Sequence, residues 1–228
     1  RYDGGTTWTK VSQATAGTIS ATSGTTAITA INAMVIYNGQ LYAATTKSGN
    51  AEVYRYDGGT TWTRVSYAAG TIVNGGTSVS NINTMEVFNG SIYVGTGTSA
   101  GNAAEIYRYD GGTTWTKVTQ AAGTIAASGT TSIDGIQRLV SYNGSLYAGT
   151  NEASPSGAEI YRYDGGTTWT KVSQATAGTF APSGTSGIDG TGFMQVYGDK
   201  LYIATFELSS TEIYTYTATN AKSYDLFF

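Results

Sequence analysis

The sequence contains neither cysteine nor histidine. Their absence excludes disulfide bonds, thiol nucleophiles and metal sites built on thiolate or imidazole. Only 12% of the 228 residues are charged and the net charge is −3, so there is no basic excess for binding nucleic acid. No apolar run approaches the roughly 18 residues of a membrane-spanning helix, so we expect no membrane insertion. The sequence indicates neither a cofactor nor a metal.

Proline is also scarce, with 2 residues, whereas there are 31 Gly and 18 Tyr residues. Long Lys/Glu-rich stretches typical of exposed helices are missing, and Thr, Ser, Gly and Ala fill the spaces between short apolar runs. This composition is typical of an all-β protein with many turns. Weakly charged, Thr-rich surfaces are common outside cells, so we predict an extracellular or cell-surface protein. The absence of an initiator Met leaves open whether the chain is a mature product, a trimmed product or a fragment.

One segment recurs along the whole chain. YRYDGGTTWT occurs at 54–63, 107–116 and 161–170, and the shorter RYDGGTTWT occupies 1–9. The Trp residues of these copies are separated by 54, 53 and 54 positions. A repeat of this length indicates a propeller or another closed array of identical units.

Each repeat contains four short segments rich in Val, Ile, Tyr and Thr, which predict four β-strands. In the first full repeat they are INAMVIYNG (31–39), LYAAT (41–45), AEVYRYD (51–57) and TTWTRV (60–65). The Asn-Gly pair between the first two segments favours a type I′ hairpin turn, because both residues tolerate positive φ. Four antiparallel strands in each of several repeated units describe a β-propeller blade.

The position of the first copy predicts how such a ring would close. The first three segments begin near residue 30, whereas the fourth segment already has a copy at 7–12. We therefore predict an all-β propeller of about four blades in one domain (1–217), in which the N-terminal strand completes the blade at 191–217 and hides its edge. The tail 218–228 is surplus to this count. If the tail supplies that outer strand instead, the N-terminal strand is free to pair elsewhere, in an open or intermolecular arrangement.

The repeated Asp-x-Gly-x-Thr-Trp motif resembles the Asp-box, or bacterial neuraminidase repeat, whose pattern is Ser-x-Asp-x-Gly-x-Thr-Trp. The YNGxLY element is also similar to kelch-like repeats. The chain departs from the Asp-box at its first position, where Arg replaces Ser. The resemblance implies structural roles, and we expect Asp to accept hydrogen bonds from backbone N–H groups of the turn and Trp to be buried between sheets. The matching residues are Asp3, Trp8, Asp57, Trp62, Asp110, Trp115, Asp164 and Trp169.

Neuraminidase chemistry is not expected despite this resemblance. In the family, that chemistry uses three Arg residues, a Tyr–Glu pair and an acidic Asp. Four of the Arg residues here belong to the repeated frame, and Arg64 replaces a repeated Lys. Arg138 alone is distinctive, so no Arg triad can be assembled.

The segments that vary between repeats are the candidates for recognition, because loops on a rigid scaffold often carry binding residues. They lie between the second and third strands, at 46–50, 97–103, 151–157 and 206–210. Tyr67 is a further candidate because it lies outside the repeated frame. The alternative is that these loops are solvated spacers. The candidate ligand-binding residues are Lys47, Asn50, Tyr67, Asn102, Asn151, Glu152 and Glu207.

We expect a non-catalytic extracellular module for binding or adhesion, with a glycan or a surface protein as its partner. One alternative is a structural subunit that self-associates by exchanging its terminal strands. Another is a glycoside hydrolase built on two carboxylates outside the repeated frame. None of these acids lies in a motif that marks a general acid, so we expect no enzymatic activity. They are Glu86, Glu152, Glu207, Asp134 and Asp189.

Overall fold

A computed structural model describes residues 1–22, 24–97, 101, 103–152, 157–207 and 211–218. All regular elements in these ranges are β-strands, as predicted, and none of the described segments is a helix that could cross a membrane. The strands are β1 (Tyr2–Gly4), β2 (Thr7–Trp8), β3 (Ala30–Tyr37), β4 (Gln40–Thr46), β5 (Val53–Gly58), β6 (Thr61–Arg64), β7 (Asn81–Phe88), β8 (Ser91–Gly97), β9 (Ile106–Gly111), β10 (Thr114–Lys117), β11 (Gly135–Tyr142), β12 (Ser145–Asn151), β13 (Ile160–Gly165), β14 (Thr168–Lys171), β15 (Gly190–Tyr197), β16 (Lys200–Phe206) and β17 (Ile213–Tyr216).

The strands from β3 onward form four antiparallel units. Unit 1 is β3–β6, unit 2 is β7–β10, unit 3 is β11–β14 and unit 4 is β15–β17. Within each unit, every strand pairs with the next one along the chain. Each first hairpin turns where the sequence predicts it, and the positive φ values of Asn38 (49°) and Gly39 (73°) meet the need of a type I′ turn.

Consecutive units touch at the ends of their inner strands and pack face to face. Single residue pairs join them at Thr46 and Asn81, at Gly97 and Gly135, and at Asn151 and Gly190. Separate apolar clusters fill the space between units 1 and 2, between units 2 and 3, and between units 3 and 4. The core is therefore divided among the junctions between units.

The inner strand of unit 1 lacks the cover that its counterparts receive. Met85 of β7 is only 6% exposed because unit 1 packs on it, whereas the equivalent Met34 of β3 is 61% exposed. Ile31 and Ile36 on the same face are exposed as well. The two faces have nearly the same sequence, so the difference in burial comes from the neighbouring unit alone.

The N-terminal strand does not pair with unit 4 in the described residues. β2 pairs with β1, and the hairpin lies beside unit 1, where the indole Nε1 of Trp62 donates to the carbonyl of Val11 at 2.8 Å. This departs from the closure expected from the sequence. The reason is that residues 1–9 already contain both strands of an outer hairpin, so β2 has a partner in β1. Most of the predicted tail, 219–228, lies outside the described residues.

Candidate functional site

The repeated Asp of the DGGTTW segment is held by side chains within its own hairpin. In unit 1, Asp57 accepts from Arg55 Nε at 2.7 Å and from Thr63 Oγ1 at 2.6 Å. Arg55 and Thr63 lie opposite each other on β5 and β6, which brings both donors to the same carboxylate. The sequence prediction named backbone N–H donors from the turn, whereas these donors are side chains. The Arg that replaces the Ser of the Asp-box is one of them. Asp3, Asp110 and Asp164 make the same pair of contacts.

Three of the four Trp side chains connect neighbouring units. Trp62, Trp115 and Trp169 are buried, and the indole Nε1 of each donates to a carbonyl of the preceding segment. For Trp115 the acceptor is Val65 O at 2.7 Å. Trp8 is 73% exposed. The predicted burial between sheets is therefore seen at three positions.

The Glu that recurs in the third strand of each unit is also committed to internal contacts. Glu159 Oε1 accepts from Lys171 Nζ at 2.7 Å, and its Oε2 accepts from Thr130 N at 3.1 Å and from the Tyr161 hydroxyl. Glu52, Glu105 and Glu212 make related contacts. These acids anchor the long connection to the strands and are poor candidates for catalysis.

The structure does not bring the predicted ligand-binding residues together. Lys47 and Asn50 lie in the loop after β4, and Tyr67 lies in the connection after β6. Asn102 falls outside the described residues. The remaining three lie at or directly after the ends of the second strands of units 3 and 4, where these units meet. They are Asn151, Glu152 and Glu207.

Glu152 is bound on both sides at the junction of units 3 and 4. Its N–H donates to Asp189 O at 2.8 Å, and its Oε2 accepts from Asp134 N at 3.0 Å. Asp134 directly precedes β11, and Asp189 directly precedes β15, so the starts of two inner strands hold this Glu between them. Glu207 repeats one of these contacts in unit 4, where its Oε2 accepts from Asp189 N at 3.2 Å.

The environment of Glu152 makes it a proton donor near neutral pH. Glu152 is 6% exposed to solvent. Burial, followed by the negative charges of Asp134 and Glu159, raises the pKa of Glu152 to about 7, against the opposing effect of the Asp134 N–H. A carboxyl group of this kind can deliver a proton to a leaving group.

A cavity of about 250 Å³ is lined by residues that neighbour this acid and Asp189 in the sequence, although neither acid lines it. One of its lining residues, Asn151, directly precedes Glu152, and another, Gly190, directly follows Asp189. The cavity combines amide, hydroxyl and guanidinium groups with one aromatic ring. The lining residues are Gln137, Arg138, Asn151, Gly190, Thr191, Gly192 and Phe206. We call this space the junction cavity.

The sequence identifies Asp134 and Glu152 as acids outside the repeated frame, but it does not predict that they lie close together. Asp134 and Glu152 lie 18 positions apart, on either side of the β11–β12 hairpin. Residue spacing alone does not show that the pairing of β11 with β12 returns the chain to the same end of the sheet. One feature of the sequence does point to this pair. Acids occupy these two positions in units 3 and 4 and are missing from them in units 1 and 2.

No protein family and no curated protein matches the sequence. A family 117 glycoside hydrolase, Zg3597 from Zobellia galactanivorans, has a similar structure, with a TM-score of 0.50, 12% identity, and coverage of 80% of this chain and 64% of that one. An endo-arabinase from Bacteroides thetaiotaomicron has a TM-score of 0.42, 13% identity and coverage of 85% and 76%. The Aleuria aurantia lectin in complex with Fucα1-6GlcNAc has a TM-score of 0.42, 13% identity and coverage of 82% and 63%.

The repeated antiparallel units, together with the likeness to the family 117 glycoside hydrolase, identify the fold as a β-propeller. The chain spans less than two thirds of the length of that structure. Both glycoside hydrolases and lectins are found among the similar structures, and glycoside hydrolases are the more frequent of those compared. This finding contradicts the expectations of a non-catalytic adhesion module and of no enzymatic activity.

Proposed function

We propose that the chain is a glycoside hydrolase that uses Glu152 as its general acid. The observation that supports this is a buried carboxyl group, with a pKa raised to about 7, that directly follows Asn151 on the wall of a polar cavity. Glycoside hydrolases among the structures of similar fold agree with this assignment. Protonation of the glycosidic oxygen by Glu152 would release the leaving sugar.

A glycoside hydrolase also needs a second carboxylate, either to attack the sugar or to activate water. Asp189 is the best candidate, because its Oδ1 is buried and has no hydrogen-bond partner among the described residues. Buried polar atoms are nearly always hydrogen-bonded, so this unpaired oxygen is an exception among the described residues. The contact between Glu152 N and Asp189 O fixes the two residues side by side.

The remaining assignments are part of the same proposal. The propeller would be a single domain (1–217) with about four blades, and its outer hairpins would be Asp-boxes. The partner would be a glycan, met outside the cell or at its surface. The composition and the internal contacts of the repeated Asp residues support these assignments.

The test is release of reducing ends from a panel of polysaccharides and oligosaccharides by the purified chain. We expect Glu152→Gln and Asp189→Asn each to lower the rate by roughly 10²–10⁴, the usual contribution of such groups. Glu86→Gln is the matched control, because Glu86 is also an acid outside the repeated frame, but its Oε1 accepts from Ser141 N at 3.0 Å and it does not line the junction cavity. Absence of hydrolysis by the folded wild-type chain would overturn the proposal. Full activity of Glu152→Gln would show that another group is the acid.

A further inference from the structure

Arg138 differs from the other Arg residues of the chain in its surroundings. It lies outside the repeated frame, at a position occupied by Ala33, Thr84 and Phe193 in the other units. The frame residue Arg162, in contrast, forms an ion pair with Asp164 at 2.9 Å. No ion pair of Arg138 with Asp or Glu occurs among the described residues.

The guanidinium of Arg138 is half-buried on the wall of the junction cavity. It lies 4.6 Å from the centre of the Phe193 ring, and Nη1 donates to Gln137 O at 2.6 Å. A guanidinium has five N–H donors, so this contact leaves most of them for a ligand. Burial alone lowers the pKa of Arg138, which means that no carboxylate lies close enough to offset the cost of burying its charge.

The rest of the junction cavity suits a sugar ring. Phe206 is 60% exposed and presents an aromatic surface, while Gln137 and Asn151 supply polar groups for hydroxyls. Binding sites usually combine apolar surface with a few polar groups that orient the ligand. At about 250 Å³ the cavity is smaller than the roughly 300–1,000 Å³ of sites for larger ligands, which favours a single sugar ring.

We propose that the junction cavity binds an acidic sugar, a hexuronic acid unit whose carboxylate pairs with Arg138. Planar guanidinium and carboxylate groups form two parallel hydrogen bonds, so Arg selects this group over a hydroxymethyl. The bound carboxylate would also supply the missing counter-charge of the half-buried Arg. This inference rests on the proposed function, since it names the substrate class of the same site.

Binding is measured by calorimetry on the Glu152→Gln variant, so that substrate is not consumed. The probes are disaccharides of galacturonic, glucuronic, mannuronic and guluronic acid, each compared with its neutral counterpart. We expect at least one acidic disaccharide to bind 10-fold or more tightly than its neutral counterpart. Adding Arg138→Gln should remove this preference, and adding Arg162→Gln, which deletes the same charge from an outer hairpin, should leave it unchanged. Adding Phe206→Ala should weaken acidic and neutral sugars alike.

The outcomes separate this inference from the proposed function. Equal binding of acidic and neutral sugars, no binding of any acidic probe, or a preference that survives Arg138→Gln would overturn it. Preference for an acidic sugar without hydrolysis by the wild-type chain would support this site and refute the hydrolase. Hydrolysis of neutral glycans alone would refute the acidic-sugar site and leave the hydrolase.

Discussion

The equivalent residues Met34 and Met85 allow the contribution of the junctions between units to be measured directly. Both lie on the inner strand of a unit with nearly the same sequence, but Met85 is 6% exposed and Met34 is 61% exposed. Replacing a buried Met by Ala costs about 2–5 kcal/mol, and Met85 packs in the cluster between units 1 and 2. We expect Met85→Ala to lower the free energy of unfolding by about 3 kcal/mol, and Met34→Ala to change it by less than about 0.5 kcal/mol.

Urea unfolding followed by Trp fluorescence measures both variants under the same conditions. With a slope of about 1–3 kcal/mol per molar urea, a loss of 3 kcal/mol moves the midpoint by about 1 M or more. Equal losses for the two variants would refute the reasoning, because they would mean that the face of β3 is covered in solution. A small loss for Met85→Ala would show that the clusters between units contribute little stability.

Three further changes test individual contacts by the same urea method. Since burial raises the pKa of Glu152 from its ordinary 4.5 to about 7, the folded chain binds more protons than the unfolded chain. The free energy of unfolding should therefore fall as the pH rises from about 4.5 to about 7, and Glu152→Gln should remove this fall. Gly95→Ala should cost about 1–3 kcal/mol because the new Cβ would lie 2.6 Å from Ile136 Cγ2 and 2.7 Å from Thr84 Cγ2. Adding Thr84→Ala, which reproduces the Ala–Ala pair of unit 1, should recover only the part of the loss that comes from Thr84. Trp115→Phe should cost about 1–3 kcal/mol by leaving a buried carbonyl unbonded, whereas Trp8→Phe should cost less than about 0.5 kcal/mol.

Each of these expectations has an opposing result. An unchanged pH dependence in Glu152→Gln would show that another group titrates. If the Thr84→Ala, Gly95→Ala double variant regains no stability, the steric conflict comes from other neighbours of Gly95. Equal effects of the two Trp substitutions would mean that the N-terminal hairpin is packed against another surface in solution.

Local structure could be predicted from the sequence wherever the repeat and turn chemistry agreed. The Asn38–Gly39 pair specified a tight turn, and the alternation of apolar residues on either side specified the strands that it joins. The partner of the repeated Asp could not be predicted, because the departure from Ser to Arg was read only as a weaker match to a known motif. The structure shows the physical role of this change, since Arg55 donates to Asp57 across the hairpin.

The candidate site was harder to predict because it arises between units. Glu152 was named both as a ligand-binding residue in a variable loop and as an acid outside the frame. Its burial and its contacts with Asp134 and Asp189 depend on how unit 4 packs on unit 3, which residue spacing does not determine. From the sequence, Arg138 is distinctive because it lies outside the repeated frame, but this fact alone argues only against the Arg triad of a neuraminidase.

The Trp contacts between units also bear on how this chain finds its native arrangement. The acceptor for Trp115 lies 50 residues earlier, and the equivalent carbonyl one unit further back is about twice as distant along the chain. Doubling a loop costs only about 0.6 kcal/mol, a factor of about three in the frequency of encounter. Chain connectivity therefore gives little protection against pairing with the wrong repeat, a common failure of repeat proteins. The repeats do differ at equivalent positions, with Ala33–Ala44 in unit 1 and Thr84–Gly95 in unit 2, and only such differences distinguish one unit from another.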